Sequence, residues 1–159
     1  DPVTRKPKTV LVSGVFDLFH RGHVELLNQA AEYGDRLIVG VNSDSMVEQY
    51  KRRPVFNETD RLAIVKSMRC VTDAVIYGAF DLKPLVEAFR PSVMVHGDDW
   101  PRDSYLTQIR MTEDDLARYD LDLVFVPYWR GTSTTSIVEY LKTPLVNGTH
   151  AAGAGAPGA

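Results

Sequence analysis

The chain has 159 residues, 44% hydrophobic, 25% charged and 9% aromatic, which excludes a disordered charged tail, a collagen-like repeat and a disulfide-stapled miniprotein and fits one compact domain. Its 18 Lys and Arg against 21 Asp and Glu give a formal charge of -3, which argues against a general nucleic-acid binder, so any anion site must be local. The single Cys70 excludes an internal disulfide, no apolar run reaches the ~18 residues of a membrane helix, and no basic-then-apolar leader is seen, so a reducing cytoplasm is the expected compartment. The two Asn-x-Thr sequons, at Asn57 and Asn147, then read as chance matches.

In chain order, residues 9–13 (TVLVS) form the first continuous β-branched run, the pattern of a strand covered on both faces. Val24, Leu27, Ala30 and Ala31 recur at three- and four-residue steps and predict a helix, which Gly34 closes as a C-cap would. A second strand follows at 36–41 (RLIVGV). Leu62, Ile64, Val65 and Met68 give a further helix its apolar face, with N-cap oxygens offered by Asn57 and Thr59. Strands are expected at 74–77 (AVIY), 93–96 (VMVH) and 121–127 (LDLVFVP), and helices at 82–89, 104–119 and 134–141. Strand alternating with helix predicts an α/β domain, a Rossmann-like doubly wound parallel five-stranded sheet with helices on both faces and right-handed crossovers. Residues 1–147 are read as this domain, and 148–159, almost wholly Ala and Gly, as a flexible tail or interdomain linker. Ligands of such sheets sit beyond the carboxyl ends of the strands where strand order reverses, so chemistry is sought just after Ser13, Val41, Tyr77, His96 and Pro127.

After the first strand comes Ser13-Gly14-Val15-Phe16-Asp17-Leu18-Phe19-His20-Arg21-Gly22-His23. Gly14 lets backbone approach a ligand closely, and His20 and His23, three apart with Gly22 between them, project from one face near the positive end of the next helix. A metal pair, a structural pair of satisfied histidines and a phosphate contact all remain open. The metal reading lacks Cys or a third ligand at standard spacing, and the phosphate reading uses imidazole N–H groups, free amides and the helix dipole together.

The run GVFDLFHRGH resembles the signature of the cytidylyltransferase branch of the nucleotidyltransferases, which carries Gly-x-Phe-Asp at its first strand and His-x-Gly-His at the helix start. The resemblance extends over residues 8–142, because GDDW at 97–100 and GTSTT at 131–135 stand where that family has its second and third signatures. It is most similar to the compact glycerol-3-phosphate cytidylyltransferases. The resemblance implies that a phosphate oxygen of an acceptor attacks the α-phosphorus of CTP and pyrophosphate leaves. That chemistry needs charge stabilisation and alignment more than a general base.

The resemblance also assigns roles. His20, His23, Lys51, Arg52, Ser133 and Thr134 are the expected catalytic residues. Ser13, Gly14, Val15, Phe16, Asp17, Gly22, Arg61, Arg69, Gly97, Asp98, Asp99, Trp100, Gly131 and Thr132 join the histidines, Ser133 and Thr134 around the nucleotide. Lys51 and Arg52 belong to a loop that closes over the triphosphate, and Ser133 and Thr134 hold the β- and γ-phosphates. Each has a plainer reading: an exposed basic run, a helix cap, or a packing Trp. Acceptor contacts are expected from Phe80, Lys83, Tyr128 and Arg130. Magnesium or another divalent ion is expected to travel on the CTP phosphates, with no metal site of the protein's own, and a homodimer is implied.

Three departures from the family fall on the acceptor side. The segment Pro127-Tyr128-Trp129-Arg130-Gly131 replaces Pro-Arg-Thr-Glu-Gly, the stretch 101–120 is longer, and Ala79 and Phe80 stand where the family has a tryptophan. Glycerol 3-phosphate is the default acceptor, and 2-hydroxyethylphosphonate is the alternative, as in the cytidylyltransferase half of bifunctional fosfomycin-pathway enzymes, where the Ala/Gly tail would lead to a second domain. Phosphocholine and phosphoethanolamine are disfavoured by the lack of an evident aromatic cage. Adenylyl transfer and an inactive nucleotide-binding regulator are the remaining rivals.

Overall fold

The structure, a computed structural model, describes residues 5–150. Five strands, β1 (Thr9–Gly14), β2 (Arg36–Asn42), β3 (Asp73–Tyr77), β4 (Val93–Gly97) and β5 (Asp122–Val126), pair in parallel in the order β3-β2-β1-β4-β5. Between and after them run α1 (Arg21–Ala31), α2 (Asp44–Glu48), α3 (Glu58–Lys66), α4 (Lys83–Phe89), α5 (Arg102–Gln108), α6 (Glu113–Arg118) and α7 (Thr134–Lys142). The apolar runs are continuous because both faces are covered. Val10, Val12, Val39 and Val95 pack with Leu27 and Ala30 of α1 and Val65 of α3, while Leu11, Ile38 and Met94 pack with Leu85 of α4, Leu106 of α5 and Leu116 of α6. This is the doubly wound α/β sheet the sequence predicts. Among the described residues, no helix is long and apolar enough to cross a membrane.

Three local features differ from the sequence reading. Residues 104–119 form two helices, because Arg110 takes a left-handed backbone (φ 58°), Met111 is buried in the core and Thr112 caps α6. The Thr112 hydroxyl accepts from Asp115 N at 3.1 Å and the Asp115 carboxylate accepts from Thr112 N at 2.9 Å. Secondly, α1 is capped at Glu32 in right-handed conformation, so Gly34 is not its left-handed stop. Gly34 is needed for close approach instead, since a Cβ there would lie 2.6 Å from the Lys8 carbonyl oxygen. Gly34→Ala is therefore expected to destabilise the domain by about 1–3 kcal/mol, as overpacking against backbone does, and a urea midpoint shift measures it. Thirdly, β6 (Leu145–Val146) and β7 (Thr149–His150) pair as an antiparallel hairpin across Asn147 and Gly148, whose φ values of 52° and 81° are those of a two-residue mirror-image turn. The hairpin takes up residues that the sequence reading gives to the tail; 151–159 lie outside the described residues.

Strand order reverses between β1 and β4. Their ladder covers only Val10↔Val93 and Leu11↔Met94, so the two strands are unpaired over their carboxyl halves. The crevice opens there, at the end where α1 begins.

Candidate active site

The loop after β1 is held in an unusual shape. Phe16 and Leu18 both adopt left-handed backbone (φ 57° and 48°), which costs on the order of 1–3 kcal/mol each unless the surroundings enforce it. Asp17, buried between them, does the enforcing. Its carboxylate accepts from Val55 N at 2.8 Å, Phe56 N at 2.9 Å and Leu18 N at 3.1 Å, and pairs with Arg52 at 3.3 Å. One carboxylate thus fastens the basic loop beside the first motif.

At the start of α1 the two histidines cap the helix reciprocally. His20 Nδ1 accepts from Gly22 N at 3.0 Å, and His23 Nδ1 accepts from His20 N at 3.1 Å. A backbone N–H can only donate, so each ring carries its proton on Nε2 and presents one N–H donor. Both are neutral. Burial lowers the His20 pKa, and that of His23 is brought to about 3, first by burial and then by the neighbouring His20. Gly22 is obligatory here, because a Cβ would meet the His20 ring at 2.7 Å.

The third motif arrives from the other end of the chain. Ser133 caps α7, its hydroxyl accepting from Ser136 N at 3.0 Å, and the Thr134 hydroxyl donates to the Asp17 carbonyl at 2.7 Å. That bond brings the amino end of α7 to the α1 histidines. A cavity of about 260 Å³ is lined by His20, His23, Ser133 and Thr134 together with Gly97 and Asp99. A larger one, about 490 Å³, runs from Ser13–Asp17 past Lys51 and Arg52 to Thr135 and Lys142. Lys51 lines both. Its ammonium is held below its ordinary value by burial and by the Arg52 charge, so an arriving anion would relieve it.

Several expected residues sit elsewhere. Arg61 is fully buried and donates to the carbonyls of Phe56, Val15 and Asn42 and to the Asp44 carboxylate at 2.7–2.9 Å, so it is an internal clamp rather than a nucleotide contact. Arg69 is exposed just before β3, at the amino end of the sheet, opposite the crevice. Lys83 is pinned to Asp81 at 3.1 Å and the Arg110 carbonyl at 2.6 Å, and Arg130 lies exposed 5.8 Å from the Tyr128 ring centre. Asp98 accepts from Tyr128 N at 2.8 Å, joining the tips of β4 and β5, while Thr132 is buried. Gly131 packs under Trp129, whose Nε1 would lie 2.9 Å from a Cβ placed there.

A third cavity, of about 210 Å³, is lined by Phe80, one of the residues from which acceptor contacts are expected. Trp100 lines it too, rather than the two cavities beside the histidines. Its remaining walls include Asn42, Tyr50, Tyr77, Tyr105 and Gln108, none of them given a site role in the sequence, because they are scattered over four separate segments. Two polar atoms there are buried without a partner, Asn42 Oδ1 and the Tyr105 hydroxyl. Among the described residues, no group of three or more His, Cys, Asp or Glu is arranged to hold a metal ion.

Burial of neutral imidazoles predicts acid sensitivity. His23 and His96 titrate at about 3 and about 4 in the folded protein, against an ordinary 6.5. Between those values the unfolded chain binds more protons, so stability is present above the ordinary value and falls with pH below it. A urea midpoint lower at about pH 5 than at about pH 7 is the expected result.

The family model described as cytidylyltransferase-like matches residues 11–140. Two curated relatives are similar over most of the chain: the bifunctional protein HldE of Geotalea uraniireducens (strain Rf4), 34% identical over 142 residues, covering 88% of this chain and 28% of that protein, and HldE of Caulobacter sp. (strain K31), 36% identical over 143 residues, covering 89% and 28%. The chain therefore spans little more than a quarter of these relatives' length. Among solved structures, the lipopolysaccharide core biosynthesis protein from Thermoplasma volcanium GSS1 superposes with a TM-score of 0.68 at 24% identity, covering 79% of this chain and 100% of that one, a likeness of fold.

Proposed function

The chain belongs to the cytidylyltransferase-like family, and from that premise we propose that it transfers a nucleoside monophosphate, CMP from CTP in the first reading, to a small phosphorylated or phosphonylated acceptor with release of pyrophosphate. An acceptor phosphate oxygen forms the new bond to the α-phosphorus while the bond from that phosphorus to the bridging oxygen of pyrophosphate breaks. The observation that carries the reading is the Thr134–Asp17 hydrogen bond of 2.7 Å, which faces the amino end of α7 and the His20–His23 pair into one cavity. Neutral imidazoles suit this step because they donate from Nε2 to phosphate oxygens without removing the nucleophile's charge. Asp99, the carboxylate at both nucleotide cavities, fits a divalent ion held largely by substrate phosphates, and the ion would neutralise leaving-group charge.

The acceptor cavity supports a neutral, hydroxylated body. Asn42 Oδ1 lacks a donor, the Tyr105 hydroxyl has the Ser13 side chain beside it, and Lys51 is the cation among the lining residues, which suits an acceptor's phosphate. Glycerol 3-phosphate is the simplest such molecule, and 2-hydroxyethylphosphonate shares its hydroxyl and anion. The cavity is rich in aromatic rings, which the sequence reading missed, yet Lys51 and Arg110 already lie 5.4 and 5.3 Å from the ring centres of Tyr50 and Phe80. A quaternary ammonium would meet those cations, so choline-type acceptors are disfavoured. Adenylyl transfer is the second reading, since the Tyr128 ring at the cavity wall offers stacking area to a purine as readily as to a pyrimidine. Since the chain spans 28% of the HldE relatives, work beside a second domain belongs to the same proposal.

Pyrophosphate release with CTP and with ATP, each with magnesium, across a panel of phosphate and phosphonate acceptors tests the reading. Acceptor-dependent release with one nucleotide supports it. Tight nucleotide binding with no release from any pair would make the chain a regulator.

A further inference from the structure

His96, the last side chain of β4 before Gly97, is absent from the roles the three motifs assign. It stands at the reversal of strand order and borders all three cavities, the two nucleotide cavities and the acceptor cavity, a property it shares only with Lys51 among the described residues. Its ring is held in place from two sides, edge to face on Tyr105 with centres 4.1 Å apart and 90° between planes, and nearly parallel to Phe125 at 6.4 Å. Burial keeps it neutral, with its pKa brought to about 4 against the opposing pull of Asp99. No hydrogen bond to a protein group among the described residues contributes to that balance. A neutral imidazole has one N–H donor and one acceptor nitrogen, and here both are left for a ligand.

Resting on the nucleotidyltransferase reading above, we propose that His96 is a further substrate-binding residue, whose N–H holds the acceptor's phosphate where the acceptor cavity meets the nucleotide cavities, sharing that phosphate with Lys51. Lys51 supplies charge and no fixed direction, because an ammonium is a rotatable point donor. The clamped imidazole supplies the direction. Together they would keep the attacking oxygen in line with the α-phosphorus, which is where misplacement is most costly to rate. The motif histidines face the nucleotide cavities and do not border the acceptor cavity, so they cannot substitute.

His96→Leu, which fills the space without a donor, and His96→Gln, which restores an N–H at similar reach, separate this role from packing. With the acceptor giving the fastest turnover, His96→Leu is expected to raise the acceptor KM by about tenfold or more and to leave the nucleotide KM within about threefold, while His96→Gln recovers most of the loss. Equal rises in both KM values, or none, would overturn the proposal. A second arm needs no catalysis. In ring-nitrogen NMR of the wild-type protein holding a non-reactive CTP or ATP analogue, titration with glycerol 3-phosphate should move the resonances that His96→Leu removes. Unmoved His96 resonances overturn the assignment. Moving resonances beside a panel in which no nucleotide releases pyrophosphate would leave His96 an anion ligand and refute nucleotidyl transfer instead.

Discussion

His23→Ala is expected to lower turnover by about 10²- to 10³-fold, the usual cost of deleting one preorganised donor to a developing anion. The ring does two jobs through two atoms: Nδ1 accepts from His20 N at 3.1 Å, and Nε2–H points to the nucleotide cavities. Its place is fixed by Phe16, Phe19 and His20, whose ring centres lie 5.4, 5.2 and 3.9 Å away. Two further variants separate the jobs. In His23→Asn the amide oxygen can still accept from His20 N, so the cap is kept and the phosphate donor lost; His23→Gln extends an N–H towards the Nε2 position and gives up the cap. Turnover should be as low in the Asn variant as in the Ala variant, with a melting temperature nearer wild type, and partly restored in the Gln variant. Steady-state pyrophosphate release and thermal melts read both. Turnover of His23→Ala within about threefold of wild type would contradict the donor role.

Arg61→Ala is expected to remove about 3–5 kcal/mol of stability, the typical loss when one member of a buried ion pair is deleted. Against the ~5–15 kcal/mol of an ordinary domain, this is a large share of the total. The guanidinium joins the end of β2 (Asn42 carbonyl), the first motif loop (Val15 carbonyl), the basic loop (Phe56 carbonyl) and the start of α2 (Asp44). Burial pushes the Asp44 carboxyl up, yet the Arg61 pair and the Glu58 N–H hold it below its ordinary value. Arg61→Lys is no rescue, because one ammonium cannot span four acceptors in a plane. Asp44→Asn, at the rim of the cluster, should cost less and keep an oxygen for the guanidinium. Urea titrations of the soluble variants measure this order, and an Arg61→Ala protein as stable as wild type would show the clamp to be dispensable.

The sheet was legible because burial on both faces leaves continuous apolar runs at several strands, and the candidate crevice because the three motifs each follow a strand end. What the residues alone hid is mostly geometric. Arg61 has the helical spacing of a surface arginine, and only the tertiary structure shows three carbonyls converging on it. Gly34 stands where a C-cap glycine would, yet its constraint comes from Lys8, 26 positions earlier in the chain. The split of α5 from α6 did have a local signal, Thr112 with Asp115 three residues on, which the apolar spacing of 104–119 masked. The acceptor cavity had none, since Asn42, Tyr50, Tyr77, Phe80 and Tyr105 meet only once the strands have been ordered.

The most direct measurement is a crystal structure with a non-hydrolysable CTP or ATP analogue bound. The triphosphate is expected to lie between the Nε2 atoms of His20 and His23 and the amino end of α7. Phosphates found away from the paired imidazoles, or contacting them but not the turn at Ser133 and Thr134, would contradict it.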